Sequence, residues 1–233
     1  MGLIYGPDIP GFTEGLTFYI DAVKPKSYSG SGTSWNNLIK NAPGCLLTNN
    51  PTFNNTPPSS NFTFDGSNDY VEILGGNYAI TLGNGNLAWT VNVWTKTSTT
   101  VNDLGAGSIL SNSSGGPVYS MMGVNNSRIV YWTYQNNAWS QKLGNATVNN
   151  NTWRMLTWVN YANYTMDMYV DGVLDTSVAN STSGNNNPVD RIAGSWAGYY
   201  NGSIAALSMY RGTALTAAQV LQNYNALKTR FGL

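Results

Sequence analysis

The chain contains no histidine and one cysteine, Cys45. That removes Ser-His-Asp and Cys-His catalysis, histidine general bases and histidine metal ligands together. Cys45 follows Pro43-Gly44 in an apolar stretch and reads as a packed structural thiol. Glycoside hydrolysis needs two carboxylates about 5–10 Å apart across the scissile bond. The glutamates available are Glu14 and Glu72, far apart in sequence. Asp167, Asp171 and Asp175 would align on a helix, but they fall on a predicted hairpin and read as turn and solvent residues. Asp65, Asn68 and Asp69 bring hard oxygen ligands into one tight loop, as Ca²⁺ requires. The competing and favoured reading is an Asx-type turn, in which these side chains bond their own backbone.

The richest chemistry is aromatic. Trp132, Tyr134 and Trp139 are expected on adjacent strands, and Trp196, Tyr199 and Tyr200 in a Gly-rich loop beside Asn201. Such clusters can stack a pyranose ring; for any single ring, packing in a core or an interface is the simpler role. Gly83-Asn84-Gly85 and Gly105-Ala106-Gly107 read as turns, because neither opens a helix after a strand as a phosphate loop does.

The composition says what must position these groups. Hydrophobic residues make up 42% of the 233, with 8 Trp and 15 Tyr, enough for one large sandwich with a sizeable core. Charged residues make up only 9% and net charge is zero, so Asn, Ser, Thr and Gly must supply the polar surface. Asn149-Asn150-Asn151 and Asn185-Asn186-Asn187 are examples. No Lys/Arg cluster exists to displace counterions, which argues against nucleic acid as a partner. No run of 18 apolar residues spans a membrane, and the start carries no signal-peptide pattern, so synthesis in a cytoplasm is expected. Asn-x-Ser/Thr triplets such as Asn61-Phe62-Thr63 are as frequent as chance gives in so Asn-rich a chain.

Residues 1–15 are Gly- and Pro-rich without periodicity. They are expected to form an extended arm that docks Leu3, Ile4, Tyr5, Ile9 and Phe12 against a partner, with residues 16–233 as the domain. Short strands between Gly, Asn, Ser and Pro turns follow. Leu87–Lys96 places Leu87, Trp89, Val91 and Val93 on one face. Val118–Val124 and Arg128–Tyr134 flank Asn125-Asn126, and Met166–Val170 and Val173–Ser177 flank Asp171-Gly172, the stronger hairpin signal. One helix closes the chain: Thr216 and Gln219 form a capping box, and Leu215 and Val220 a hydrophobic staple. Val220, Leu221, Tyr224 and Leu227 are its expected buried stripe, with Lys228 and Arg230 near its negative end and Gly232 its C-cap.

Asn61-Phe62-Thr63-Phe64-Asp65-Gly66-Ser67-Asn68-Asp69-Tyr70-Val71 resembles the opening motif of laminin-G-like jelly rolls of the concanavalin A-like lectin/glucanase superfamily. Trp89–Trp94, Thr152-Trp153, Met168–Leu174, Tyr200–Ile204, Met209–Arg211 and Ala214–Thr216 are similar to its later motifs, in order. Gly15–Ala22 with Ser27–Trp35, and Gln222–Gly232, look like the variant common in bacteriophage and bacterial proteins. The resemblance implies an all-β, two-sheet antiparallel jelly-roll sandwich with one short C-terminal helix. Trp94, Trp153 and Trp158 fall at its core positions. It implies a non-enzymatic protein, because the Glu-x-Asp-x-Glu run of the glucanases is absent. Ala205-Ala206 stand where family members often carry an acidic residue, which weakens a calcium site and leaves no cofactor as the expectation. The resulting expectation is a phage virion decoration protein that binds other virion proteins or copies of itself, and host glycans as well. A stand-alone carbohydrate-binding module is the alternative, and a glycoside hydrolase a more distant one.

Overall fold

The structure is a computed structural model that describes residues 11–75, 80–82, 86–103, 105–113, 119–135, 138–179 and 188–233. In chain order the elements are β1 (Leu16–Asp21), β2 (Ser34–Trp35), β3 (Cys45–Thr48), β4 (Thr52–Asn54), β5 (Asn61–Asp65), β6 (Tyr70–Ile73), β7 (Ile80–Thr81), β8 (Trp89–Lys96) and β9 (Ser108–Ser111). They continue with β10 (Tyr119–Asn125), β11 (Arg128–Gln135), β12 (Ala138–Thr147), β13 (Arg154–Asn160), β14 (Thr165–Val170), β15 (Val173–Ala179), β16 (Pro188–Val189), β17 (Arg191–Ile192), β18 (Asn201–Arg211) and α1 (Ala217–Leu227), then a 3₁₀ turn over Lys228–Phe231.

Two large antiparallel sheets form the sandwich. The first runs β15-β14-β13-β8-β18-β5-β4, with β1 also on β18; the second runs β12-β11-β10-β9-β17-β6-β3-β2. β7 and β16 make a small separate pair. This is the jelly-roll sandwich with one C-terminal helix that the sequence leads one to expect.

Both expected hairpins form. Asp171 and Gly172 take φ of 54° and 80°, the pair of positive values that a two-residue turn demands. In the β10–β11 hairpin the turn lies one residue later than expected, on Asn126 and Ser127, at 47° and 65°. Asn125 remains in the ladder opposite Arg128.

The inter-sheet core holds Trp89, Val91 and Val93 of β8, Ile129 and Tyr131 of β11, and Trp158 of β13. Leu87 is the exception to the expected face, at 51% exposure, because it precedes the strand. Trp94 points the other way but is equally buried, inside a second cluster under α1. β8 therefore buries both faces, since α1 lies over the outside of the first sheet.

The capping box forms: the Thr216 hydroxyl accepts from Gln219 N and the Gln219 side chain accepts from Thr216 N. Leu215 and Val220 are both fully buried, as a staple requires. The expected stripe needs one correction. Leu221 is 43% exposed, and Asn223 is buried in its place. Asn223 faces inward because it holds residue 12: Phe12 N donates to its Oδ1 at 2.8 Å, and its Nδ2 donates to Tyr210 OH at 3.0 Å.

A second correction concerns the basic end. Arg230 does not serve the helix dipole. It lies in the 3₁₀ turn and makes a bidentate pair with fully buried Asp21 of β1, at 2.7 and 2.9 Å. Its Nε also donates to Pro58 O at 3.0 Å. Tyr19 OH gives Asp21 a further hydrogen bond. Gly232 is the left-handed cap of that turn, with φ of 74°.

Of the expected arm, Leu3, Ile4, Tyr5 and Ile9 lie outside the described residues. Phe12 packs against the cluster under α1, and its carbonyl accepts from Tyr210 OH at 2.7 Å. Gln222 Nε2 donates to Gly11 O. Residues 11 and 12 are thus held on the body of their own chain.

Candidate functional site

Strand alternation sorts the aromatic residues of β11 and β12. Ile129 and Tyr131 face the core, so Val130, Trp132 and Tyr134 face outward from the second sheet. β12 pairs with β11 so that Tyr134 stands opposite Trp139, Trp132 opposite Gln141 and Val130 opposite Leu143. Cross-strand neighbours on one face touch. The outer face therefore carries its own small cluster: Met121, Val130 and Trp132 are buried, and Trp139 and Leu143 pack partly buried against them.

Trp196 completes this cluster from elsewhere in the chain. The Trp139 and Trp196 rings lie nearly parallel, 6.2 Å apart with 23° between planes. Tyr134 meets Trp139 at 5.0 Å, tilted by 48°. Trp196 keeps 45% of its surface exposed, and Tyr134 and Trp139 are half-buried. The two sequence clusters thus meet in one aromatic patch built from Tyr134, Trp139 and Trp196.

The loop after β17 aims Trp196. Ser195 N donates to Gly198 O at 2.8 Å, and the Ser195 hydroxyl accepts from Ala197 N at 3.0 Å, closing a tight turn with Trp196 inside it. Ala193 at its base has φ of 62°, a left-handed conformation that costs a non-glycine residue of order 1 kcal/mol. The Gly105-Ala106 turn buttresses the loop. A Cβ on Gly105 would come within 2.5 Å of Ala197 Cβ, and one on Gly198 within 3.0 Å of the Ala106 backbone. A segment that the sequence offered only as a turn therefore clamps the Trp196 loop.

Three sequence candidates sit apart from this trio. Trp132 is 2% exposed beneath Trp139, so it supports the face and offers no ring to a ligand. Tyr200 is 2% exposed, and its hydroxyl bonds that of Thr95 at 2.7 Å in the core. Both are corrections with one cause: alternation and loop closure bury them. Tyr199 is half-buried beside Tyr70, with ring centroids 6.3 Å apart.

The Asp65–Asp69 loop has the geometry of an Asx turn. Asp65 Oδ1 accepts from Ser67 N at 2.8 Å and Asn68 N at 3.3 Å, and the Ser67 bond leads in holding its carboxyl below the usual range. Asp69 is buried and its Oδ2 accepts from Asp65 N; burial first, then the Asp65 charge, push its carboxyl up. Among the described residues no group of three or more His, Cys, Asp or Glu comes together. Asp167, Asp171 and Asp175 are not idle solvent residues. Asp171 pairs with Arg154 at 2.7 Å, Asp167 accepts from Tyr161 OH at 2.8 Å, and Asp175 accepts from the backbone of Asn145 and Ala146. Burial pushes the Cys45 thiol up to about 12, which suits a packed group and not a nucleophile. Among the described residues no helix is long and apolar enough to cross a membrane.

Solved structures share this fold. The fourth domain of an extracellular GH43 arabinanase from Geobacillus stearothermophilus, solved with arabinotriose, is 14% identical over 90% of this chain and 98% of its own, with a TM-score of 0.64. The binding domain of Paraclostridial Mosquitocidal Protein 1 is 14% identical over 92% of this chain, with a TM-score of 0.66. The binding domain of botulinum neurotoxin DC, solved with rat synaptotagmin II, is 11% identical over 92% of this chain, with a TM-score of 0.70. This chain spans about half of each toxin domain, 52% in both cases. No curated protein matches by sequence. Residues 65–221 match a laminin G family of the concanavalin A-like lectin/glucanases superfamily, and with that match over most of its length the chain belongs to this superfamily.

Proposed function

We propose that the chain is a non-catalytic glycan-binding module whose ligand stacks on Tyr134, Trp139 and Trp196. The observation that carries this reading is the meeting of Trp139 and Trp196, from separate elements, on an outer sheet face where Trp196 remains 45% exposed. A loop held by a left-handed Ala193 and two glycine contacts is an expensive way to fill space and a sound way to fix a ring for stacking. The absence of histidine from the sequence supports a role in binding and not in catalysis. The similarity to an arabinanase domain solved with arabinotriose supports the ligand class. An array of neutral and acidic oligosaccharides, probed with protein at high density, should give signal. Trp139→Ala with Trp196→Ala should abolish it while the melting curve stays cooperative; silence across the array, or binding that survives the double variant, would remove the reading.

A second reading is display on a bacteriophage particle, with the residues before Gly11 as the attachment arm. It is favoured by the 9% charged content, which lets copies pack closely at little electrostatic cost. Mass spectrometry of purified particles decides it: the chain is present there or the reading fails. The two readings are compatible, because a decoration protein can carry a glycan site.

A further inference from the structure

The aromatic face continues toward β6. Gly194 forms an isolated bridge with Tyr199 and sits between two rings: a Cβ there would meet Tyr70 Cβ at 3.0 Å and Tyr199 at 3.2 Å. The Arg191 guanidinium lies 4.3 Å from the centroid of Tyr70. A guanidinium stacked by its face keeps its N–H edge for other partners, and that planar fork matches a carboxylate. Arg191 is half-buried and makes no ion pair among the described residues. Glu72 stands opposite it in the β6–β17 ladder, exposed and unpaired with it. Arg191 begins β17, the strand that leads into the loop carrying Trp196.

We propose that this face selects acidic glycans, with a sugar ring stacked on Trp139 and Trp196 and the carboxylate of an adjoining uronic or sialic acid held by Arg191. The proposal rests on the glycan-binding reading above and names the ligand class of the same site. It also assigns Glu72 an opposing role: its negative charge weakens the attraction and tunes the site toward modest affinity.

The test uses the full chain and calorimetric titration with oligosaccharide pairs that differ in one carboxylate, sialyllactose against lactose and a uronic acid trisaccharide against its carboxyl-reduced form. The acidic member of a pair should bind about tenfold tighter at low salt, as one charge-assisted contact allows. The advantage should shrink as salt rises. Arg191→Gln should abolish the advantage, so that both members of a pair bind alike. Glu72→Gln should enlarge it, and this variant leaves the stack on Tyr70 intact, so it reads the electrostatics even where Arg191→Gln folds poorly. Equal binding of both members, or an advantage that survives Arg191→Gln and is indifferent to Glu72→Gln, overturns the proposal. In that case neutral binding that still depends on Trp139 and Trp196 leaves the glycan reading standing; if no member of either pair binds, both fall together.

Discussion

The two outer faces of the sandwich had similar raw material and met different fates. Outside the first sheet, Trp94 stacks on Tyr224 at 5.6 Å and on Phe231 at 4.4 Å, and Trp153 meets Phe231 at 4.7 Å. These rings are covered by α1 and the 3₁₀ turn. Small residues on β18, Ala205 and Ala206, let the helix come close. Outside the second sheet, Trp139 packs on Trp132, and among the described residues the ring stack ends at Trp196, 45% exposed. Aromatic content alone therefore says nothing about binding. What separates a covered cluster from an exposed one, among the described residues, is whether another element packs over its rings.

The largest effect should come from unlocking the covered face. Asp21 and Arg230 are almost fully buried, and removing one partner leaves the other charge uncompensated. Arg230→Ala should cost about 3–5 kcal/mol, read as a fall in urea midpoint with glycan binding retained below the transition. A loss below 1 kcal/mol would mean that the pair does not pin the C-terminal turn.

Two tryptophans of the open face should behave differently from each other. Trp132→Ala removes a buried ring and should cost roughly 3–5 kcal/mol, or about 10 °C in melting temperature. Trp196→Ala removes a half-exposed ring and should cost far less stability while losing most glycan binding. If both variants lose stability equally, the loop carrying Trp196 belongs to the core and the site assignment fails.

The smallest effect is expected at the Asp65–Asp69 loop. Its carboxylates are already engaged by the backbone, so millimolar Ca²⁺ should leave the melting temperature where excess EDTA puts it. A rise with Ca²⁺, by mass action, would identify a metal site there instead.

Much of this was legible from residues alone. The Asp171-Gly172 turn and the Thr216–Gln219 capping box are local devices, and local chemistry determines them. The strand pattern also put Trp132, Tyr134 and Trp139 on adjacent strands. What escaped depends on contacts distant in sequence. No pattern connects Trp139 with Trp196, and none pairs Asp21 with Arg230, at |i−j| of 209. The helix stripe failed at Leu221 for the same reason: Asn223 turns inward to bond Phe12, over 200 residues away. Trp132 and Tyr200 looked like ligand-binding rings because exposure is a property of the layer above them, which periodicity does not reveal.

Asp175 has a consequence for life in a crowded solution. Its carboxylate accepts from Asn145 N and Ala146 N of β12 at 2.7 and 2.8 Å, and Asn145 Nδ2 returns a bond to Asp175 O on β15. Each is the terminal strand of its sheet. An open strand edge templates the addition of foreign strands, and a chain with zero net charge has little repulsion to keep its neighbours away. By placing one of its few carboxylates across this seam, the fold ties the edge strand of one sheet to the edge strand of the other, and each edge is less open to an added strand.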